Sequence, residues 1–154
     1  MLRALLTRLG LAYIHDAPAH LELDGPLLRR WVLVTPLGTL RLHHLCAPDV
    51  EHHHDHPWSF LSVVLRGWYV EEFPDGDTVR RFPGALAWRS CRVLHRIAEV
   101  SEGGAWTLVL TSPRRKSWGF LQGGSWAPWR TVVRPEEAAR VDAYFPSHHR
   151  SSDV

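Results

Sequence analysis

The chain has 154 residues, 45% of them hydrophobic, so it is long enough to fold as one domain around a substantial core. The 18 basic residues nearly balance the 16 acidic ones, and a net charge of +2 argues against a nucleic-acid partner. No apolar run reaches the length of a membrane span and two cysteines are too few for a disulfide framework, so we expect a soluble, cytoplasmic protein.

The chain begins with MLRALLTRLGLAYI, which predicts a short amphipathic N-terminal helix. Four leucines recur at helical spacing along one face: Leu2, Leu5, Leu6 and Leu9. Arg3 and Arg8 interrupt the apolar stretch and no small-residue cleavage site follows, so the segment does not fit an export signal.

From residue 30 onward, short apolar runs alternate with Gly, Pro and Asp, which is typical of many short strands joined by turns. The pattern predicts eight strands, at 30–35, 38–46, 58–66, 68–73, 78–82, 85–89, 92–98 and 105–112. Asp75 and Gly76, within FPDGDTV, supply the positive φ angles of a tight hairpin. Because hardly any helix separates the strands, the predicted fold class is all-β, as an antiparallel barrel or sandwich.

The C-terminal part of the chain predicts one further helix. Pro135 suits a first helical turn, Glu136 and Glu137 suit the positive end of the helix dipole, and AARVDAYF continues the pattern. The tryptophans of RRKSWGF and SWAPWR are expected to cover one end of the barrel, with a lid or a dimer surface as the alternative. The single domain, 1–154, then divides into a barrel core at about 30–112, a loop and helix at 113–146 and a disordered tail at 147–154.

The densest polar motif is EHHHDHPWSF, which holds four histidines. If His54 and His56 lie two apart on a strand, their side chains leave the same face and can reach one metal ion, while Asp55 points away. Trp58 and Phe60 share that parity, so the face continues as an aromatic wall.

Two imidazoles do not hold a metal ion tightly, so a third protein ligand is required. The best placed candidate is His95 in RVLHRI, and nitrogen ligands of this kind suit Fe, Ni, Cu, Zn or Mn rather than Ca or Mg. The competing interpretations are a solvated polar loop at His54 and His56, and a core histidine at His95. Four more histidines are expected at the surface or behind the ligands: His43, His44, His52 and His53.

The first half of this spacing resembles a signature of small single-domain cupins, G-x5-H-x-H-x3-E-x6-G. His54, His56 and Gly67 fall at the spacing of that family. Pro48 stands where the signature has its leading glycine, and Phe60 stands where it has its glutamate.

The second cupin signature, G-x5-P-x-G-x2-H-x3-N, is matched in part. Gly84 and His95 fall at the spacing of the family, whereas Ser90, Arg92 and Glu99 replace the proline, the second glycine and the asparagine. The stretches HDHPWSF, LRGWYVEE and WTLVLTSPRRKSWGF further resemble a group of small bacterial and phage cupins.

The resemblance covers roughly residues 38–112 and implies an antiparallel cupin (jelly-roll) barrel with His54, His56 and His95 converging inside it. With Phe60 in place of the glutamate, three neutral ligands leave the ion its full double charge and open positions for a chelating anionic substrate and dioxygen. This is similar to the three-histidine centres of thiol dioxygenases.

The function that this resemblance implies is a mononuclear Fe(II) oxygenase acting on a small polar molecule such as an amino acid or a thiol. Ni, Cu, Mn and Zn are the alternative metals. A non-redox isomerase or lyase, or a small-molecule binding protein, is the alternative function. The expected partners are the small-molecule substrate and dioxygen, with a homodimer left open and with no nucleic acid or membrane.

Further residues are candidates for catalysis and substrate binding. Tyr69 and Glu71 share a strand face, where they are predicted to serve proton transfer, and Glu71 is also a candidate to orient a histidine or to turn inward as a ligand. Arg41, the better candidate, and Arg92 are predicted to hold a substrate carboxylate, against the plainer expectation that both face solvent.

Apolar side chains are expected either to shape the pocket or simply to fill the core. Trp58 and Phe60 are the candidates for pocket walls that contact the substrate. The stripe of Trp106, Leu108 and Leu110 is predicted to face the core.

Overall fold

A computed structural model describes residues 12–14, 28–35, 37–49 and 52–135, together with residue 139, and the structural statements below concern these residues. The leucine-rich helix predicted before residue 12 and the predicted tail lie outside them, and of the helix predicted from Pro135 only residues 135 and 139 are described, both of them helical. Residues 12–14 form a strand, so the predicted N-terminal helix does not include the last three residues of its segment.

The described residues form eleven strands and one short helix, which we number in chain order. The strands are β1 (Ala12–Ile14), β2 (Leu28–Thr35), β3 (Gly38–Leu45), β4 (Phe60–Arg66), β5 (Tyr69–Glu72), β6 (Thr78–Arg81), β7 (Leu86–Arg89), β8 (Arg96–Val100), β9 (Ala105–Thr111), β10 (Gly119–Gln122) and β11 (Ser125–Pro128), and the helix is α1 (Trp129–Val132). Within this part of the chain, no helix is long and apolar enough to cross a membrane.

Every strand pairing is antiparallel. One sheet has six strands in the order β1-β2-β3-β9-β4-β7, a second has three in the order β6-β5-β8, and β10 and β11 form a hairpin. The two larger sheets share an apolar cluster to which β4, β5, β8 and β9 each contribute one residue: Val64, Tyr69, Ile97 and Ala105. A second cluster lies under the hairpin and α1: Trp118, Phe120, Trp129 and Val133.

All eight predicted strands are present, and the hairpin turn at Gly76 has the expected positive φ of 89°. Two boundaries differ in a way that affects the site. The strand predicted at 58–66 begins at Phe60, after the histidine motif, and the strand predicted at 92–98 begins at Arg96, so His95 lies just outside it. The sequence pattern does not predict the strands β1, β10 and β11 or the helix α1.

The inner face of the large sheet mixes polar with apolar residues, and its outer face carries large apolar side chains. On β3, Arg41 is 5% exposed whereas its neighbour Leu40 is 38% exposed. On β9, Thr107 and Thr111 are buried and Leu110 is 55% exposed. The prediction that the Trp106, Leu108 and Leu110 stripe faces the core is therefore wrong, because β9 turns its threonines inward.

Candidate metal centre

The histidine motif runs as an extended segment between two strands. His54 forms isolated bridges with His95 on one side and with Phe120 on the other. The His54 amide donates to the His95 carbonyl at 2.9 Å, and the His95 amide donates to the His54 carbonyl at 3.0 Å. These bonds place two histidines that are distant in sequence directly opposite each other.

The three predicted ligands come together. One nitrogen each from His54, His56 and His95 can be chosen so that all three lie within 4.8 Å of one another. The His56 Nε2 and His95 Nε2 atoms are 2.9 Å apart, and the three ring centroids are separated by 5.1–5.2 Å. One ion at ordinary metal–nitrogen distances of about 2 Å can bridge such a set, so these residues fit a divalent transition metal.

The surroundings of the centre favour neutral imidazoles, which is the form that binds metals. Burial lowers the pKa of His56 well below its ordinary value, and the neighbouring His54, His95 and Arg41 charges lower it further. Burial also lowers the pKa of His54, although Asp49 acts in the opposite direction. Both rings are therefore ready to donate a nitrogen lone pair without first losing a proton.

Glu71, on β5, lies behind His95. Its Oε1 atom is 2.8 Å from the His95 Nδ1 atom, although the N–H bond does not point straight at the oxygen. The carboxylate also accepts hydrogen bonds from Arg81 and Arg89, with the Arg89 Nε at 2.7 Å. Burial raises the pKa of Glu71, but the close pairing with His95 and the hydrogen bonds from Arg89 outweigh this effect and lower the pKa to about 2.

This arrangement defines what Glu71 does in the structure. With Nδ1 of His95 turned toward the carboxylate, the Nε2 atom faces His56 and the centre. Both carboxylate oxygens are engaged and only 2% of the residue is exposed, so Glu71 holds the His95 ring rather than lying free as a base. Of the predicted alternatives, the structure favours the orienting role.

Asp49 is a second carboxylate near the three histidines, and no local pattern in the sequence predicts it. Its Oδ2 atom is 4.0 Å from His54 Nδ1 and accepts a hydrogen bond of 2.7 Å from the Ile97 amide. Asp49 is thereby fixed to β8, on the Nδ1 side of His54.

Of the two predicted wall residues, Phe60 lies beside the centre and Trp58 contacts Arg41. Phe60 is buried, and its ring meets the His56 ring edge-on with centroids 5.1 Å apart, while the His95 centroid is 6.1 Å away. Trp58 is half-buried, and the guanidinium carbon of Arg41 lies 3.8 Å from its ring centroid. The side chain at position 60 therefore gives the histidines an apolar neighbour instead of a carboxylate.

The remaining predicted residues, Arg41, Arg92 and Tyr69, lie in three different environments. Arg41 is buried, so the plainer expectation that it faces solvent is wrong. Arg92 is exposed on the turn before β8, and the described contacts do not join its side chain to the three histidines. Tyr69 packs in the apolar cluster between the sheets, where burial and the Glu71 charge raise its pKa.

Asp55 points away from the centre, as its parity predicts, and it anchors the C-terminal hairpin. Its carboxylate accepts hydrogen bonds from the Gly119 amide at 2.8 Å and the Trp126 Nε1 at 3.0 Å, and it pairs with Lys116. The segment predicted as tryptophan-bearing loops is thus a hairpin that is bonded to the histidine motif.

Histidines outside the centre lie in different surroundings. His52 is exposed and the His53 Nε2 atom is 3.4 Å from Glu72. His44 stacks on Trp106, on the outer side of the sheet, with ring centroids 4.4 Å apart. His43 has a buried Nε2 atom without a hydrogen-bond partner, which is a feature the sequence does not reveal.

No protein-family profile and no curated protein sequence matches the chain. Solved structures do resemble it. Fe(II) HppE has a TM-score of 0.52 and 14% identity, over 66% of this chain and 56% of that one. A candidate mannose-6-phosphate isomerase from Ralstonia eutropha JMP134 has a TM-score of 0.50 and 16% identity, over 59% and 89%. A cupin superfamily protein from Desulfitobacterium hafniense DCB-2 has a TM-score of 0.47 and 16% identity, over 60% and 83%.

At such low identities the likeness concerns the fold alone. The antiparallel sheets, with a three-histidine cluster brought together from the motif at 54–56 and from the start of β8, form a cupin barrel. The predicted fold class is confirmed. The narrower resemblance to a bacterial and phage group stays a prediction.

Proposed function

We propose that the chain is a mononuclear metal-dependent oxygenase of the cupin type, in which His54, His56 and His95 bind Fe(II) and the substrate is a small polar molecule such as an amino acid or a thiol. The observation that carries the proposal is the neutral donor set. Among the described residues, the clustered ligand atoms are three histidine nitrogens, and Phe60 packs where a carboxylate ligand would make the set anionic.

Iron held by three neutral nitrogens keeps its double charge and open coordination positions, and it supplies the one-electron chemistry that reactions of dioxygen require. The residues of the chain prepare the site for this chemistry. Glu71 holds the His95 ring, and Phe60 and Trp58 line the centre with aromatic surface that limits the access of water.

Substrate binding and proton transfer are assigned to the remaining predicted residues. We propose that Arg41 holds an anionic group of the substrate, because it is buried and stacks on Trp58 beside the centre. Tyr69 remains the proposed proton donor, because a phenol is protonated at neutral pH, although burial and the Glu71 charge raise its pKa and make it a weaker acid. The exposed Arg92 remains a weaker candidate for contact with the substrate at the barrel rim.

The cellular setting is proposed on similar grounds. Cys46 and Cys91 are both free thiols, which agrees with a reducing cytoplasm. The near balance of basic and acidic residues agrees with a small-molecule substrate rather than a nucleic acid.

The test combines metal analysis with oxygen consumption. The protein is purified without added metal and analysed for metal content, and then loaded anaerobically with Fe(II) or Zn(II). An oxygen electrode is used to follow each form with a panel of amino acids, thiols and oxo acids. We expect the Fe(II) form alone to consume oxygen in the presence of a substrate, and we expect His95→Ala to lose this activity while His52→Ala keeps it.

Other outcomes of the same experiment favour the alternative. Product formation by the zinc form without oxygen uptake would identify a non-redox isomerase or lyase. Ligand binding without turnover in either form would identify a binding protein.

A further inference from the structure

Arg41 is a buried cation without an ion pair among the described residues. It is 5% exposed, and its polar contact is a hydrogen bond of 2.7 Å from Nε to the Thr39 hydroxyl. The stacking contact with Trp58 covers one face of the guanidinium. Arginine is rarely buried without a carboxylate because removing its charge from water is costly, so a site that keeps one usually uses it. Since Nε is engaged, the two terminal Nη groups are left for another acceptor.

His43 presents a second unused polar atom on the same face of β3. Its Nε2 atom is buried and has no hydrogen-bond partner. Across the neighbouring strands it lies opposite Arg30 on β2 and Thr107 on β9, both of which are buried. A buried imidazole nitrogen without a partner is uncommon and indicates a missing ligand or water.

Burial lowers the pKa of His43 well below its ordinary value, and the charges of Arg30 and Arg41 act in the same direction. The side chain is therefore neutral at physiological pH and can donate one hydrogen bond. Arg30 adds positive charge to this region of the barrel interior, which favours an anion.

The two residues lie next to the metal centre. Arg41 stacks on Trp58, which follows His56 by two positions. Thr39, which accepts the Arg41 hydrogen bond, is joined through its hydroxyl to Thr111 at 2.8 Å, and Thr111 pairs with Phe60 on β4. An anion at Arg41 would therefore lie on the same side of the sheet as the three histidines.

We propose that Arg41 and His43 form an oxyanion subsite inside the barrel, which binds a carboxylate or phosphate group of the substrate beside the three-histidine centre. The Nη pair of Arg41 donates two hydrogen bonds and His43 donates a third. This inference deepens the proposed function because it states which chemical group the substrate must carry, and it rests on that proposal for treating the barrel interior as the substrate site.

The test uses metal-free protein, so that its result does not depend on turnover. Acetate, methylphosphonate and inorganic phosphate are titrated separately into the protein at constant ionic strength and followed by calorimetry and by the ¹⁵N NMR signal of Arg41 Nε. We expect saturable binding of at least one of these anions. Arg41→Gln is expected to weaken it by about tenfold or more, and His43→Gln by a smaller factor of about threefold, in keeping with charged and neutral hydrogen bonds.

Two further variants make the result specific. Arg66→Gln removes a positive charge from an exposed position on β4 and should leave anion binding unchanged. Arg41→Lys keeps the charge but not the paired donors, so it is expected to bind more weakly than the unmodified protein and more tightly than Arg41→Gln. It also provides a measurement if Arg41→Gln does not fold. Circular dichroism checks the fold of each variant.

The anion that binds most tightly identifies the source of the oxyanion, carboxylate or phosphate. Failure of all three anions to bind the unmodified protein, or equal loss of affinity in Arg66→Gln and Arg41→Gln, would overturn the subsite. Anion binding that survives in a protein without oxygen uptake would keep the subsite and reject the oxygenase, so the two proposals fail separately.

Discussion

The three histidines provide the first prediction at the scale of single residues. Among the described residues, His54, His56 and His95 each supply one of three clustered nitrogens, so replacing any of them by alanine should weaken metal binding by more than about 100-fold. The fold should persist, because strand pairing holds the backbone independently of these side chains. Metal competition assays measure the affinity, and His52→Ala and His53→Ala are the controls. Similar losses in all five variants would indicate a diffuse histidine patch instead.

Glu71 provides the second prediction, because it neutralises two arginines while it positions a ligand. Glu71→Gln leaves Arg81 and Arg89 with only a neutral partner, and we expect it to lower the free energy of unfolding by about 3 kcal/mol. It should also lower metal affinity by about 10-fold to 100-fold, since His95 loses the carboxylate behind it.

The matched control for this variant is Glu72→Gln. Glu72 pairs with Arg96 on β5 and β8, but its side chain is 23% exposed, so the change should be small. Urea unfolding and metal competition provide the two measurements. If Glu71→Gln loses activity while stability and metal affinity stay unchanged, Glu71 is a base and not a positioning residue.

Phe60 provides the third prediction, because its ring packs against the ligands His56 and His95. Phe60→Glu should maintain or increase metal affinity, because it places a carboxylate beside the ion. It should also reduce oxygen-dependent turnover by about tenfold or more, because the carboxylate fills an open position. Phe60→Leu keeps an apolar side chain and should retain turnover. Undiminished oxygen uptake by Phe60→Glu would show that the neutral donor set is not required.

Single residues differ in how far the sequence predicts them. The clustering of His54, His56 and His95 could be predicted because H-x-H is a local pattern and the spacing to His95 fits the cupin signatures. Arg41 and the Trp106 stripe could not, because alternation defines two faces without saying which one faces inward. On β3 and β9 the inner face includes a buried arginine and two buried threonines while the leucines face outward, so the ordinary expectation that leucines lie in the core gives the wrong side.

At the scale of secondary structure elements, the alternating pattern predicts eight strands but does not predict the C-terminal hairpin. The signal was present, since Gly123 and Gly124 separate two short runs with apolar residues, and both glycines have positive φ angles, 54° and 81°. Two consecutive residues with positive φ are typical of a tight hairpin turn. The polar residues and tryptophans of RRKSWGF and SWAPWR predict loops, because they mask this turn signal.

The hairpin carries the fourth prediction, which concerns its attachment through Asp55. Asp55→Ala leaves Lys116, the Gly119 amide and the Trp126 indole without their acceptor, and we expect a loss of about 3 kcal/mol in the free energy of unfolding. Hydrogen exchange should become faster at the amides of Gly119 and Leu121, which bond to the histidine segment.

The control for this variant is Asp75→Ala, which alters an exposed turn where the carboxylate accepts one amide hydrogen bond from Asp77. It should change stability by about 0.5 kcal/mol or less. Metal affinity should fall in Asp55→Ala and not in Asp75→Ala, because Asp55 lies between His54 and His56 in the sequence and anchors the segment that carries them. Unchanged exchange at Gly119 in Asp55→Ala would show that the hairpin is held by its aromatic cluster alone.

At the scale of the whole molecule, the large sheet has an apolar outer face that is exposed. Six outward side chains on β3, β4, β7 and β9 are 38–65% exposed: Leu40, Leu61, Leu65, Leu86, Trp88 and Leu110. They are contiguous, because Leu61 pairs with both Trp88 and Leu110, and Leu110 pairs with Leu40. A groove of about 430 Å³ between Trp31 and Leu108 extends the same face.

The fifth prediction is that a second copy of the chain covers this outer face in a homodimer. The exposed apolar area is on the order of 600 Å², which is large for a monomer and close to the roughly 800 Å² that each partner contributes to a standard interface. Leu110 lies centrally in the face and Trp88 offers the largest anchor, so Leu110→Glu and Trp88→Glu should each yield monomers.

Sedimentation equilibrium at micromolar concentrations measures the association state, and circular dichroism checks that each variant is folded. Val79→Glu provides the control, because Val79 is 37% exposed on β6, in the other sheet, and its charge should leave the dimer intact. The subsite and the metal centre lie on the inner side of the large sheet, so anion and metal affinity should be the same in monomeric variants as in the unmodified protein. A monomeric unmodified protein, or dimers in both outer-face variants, would show that this face does not join two copies.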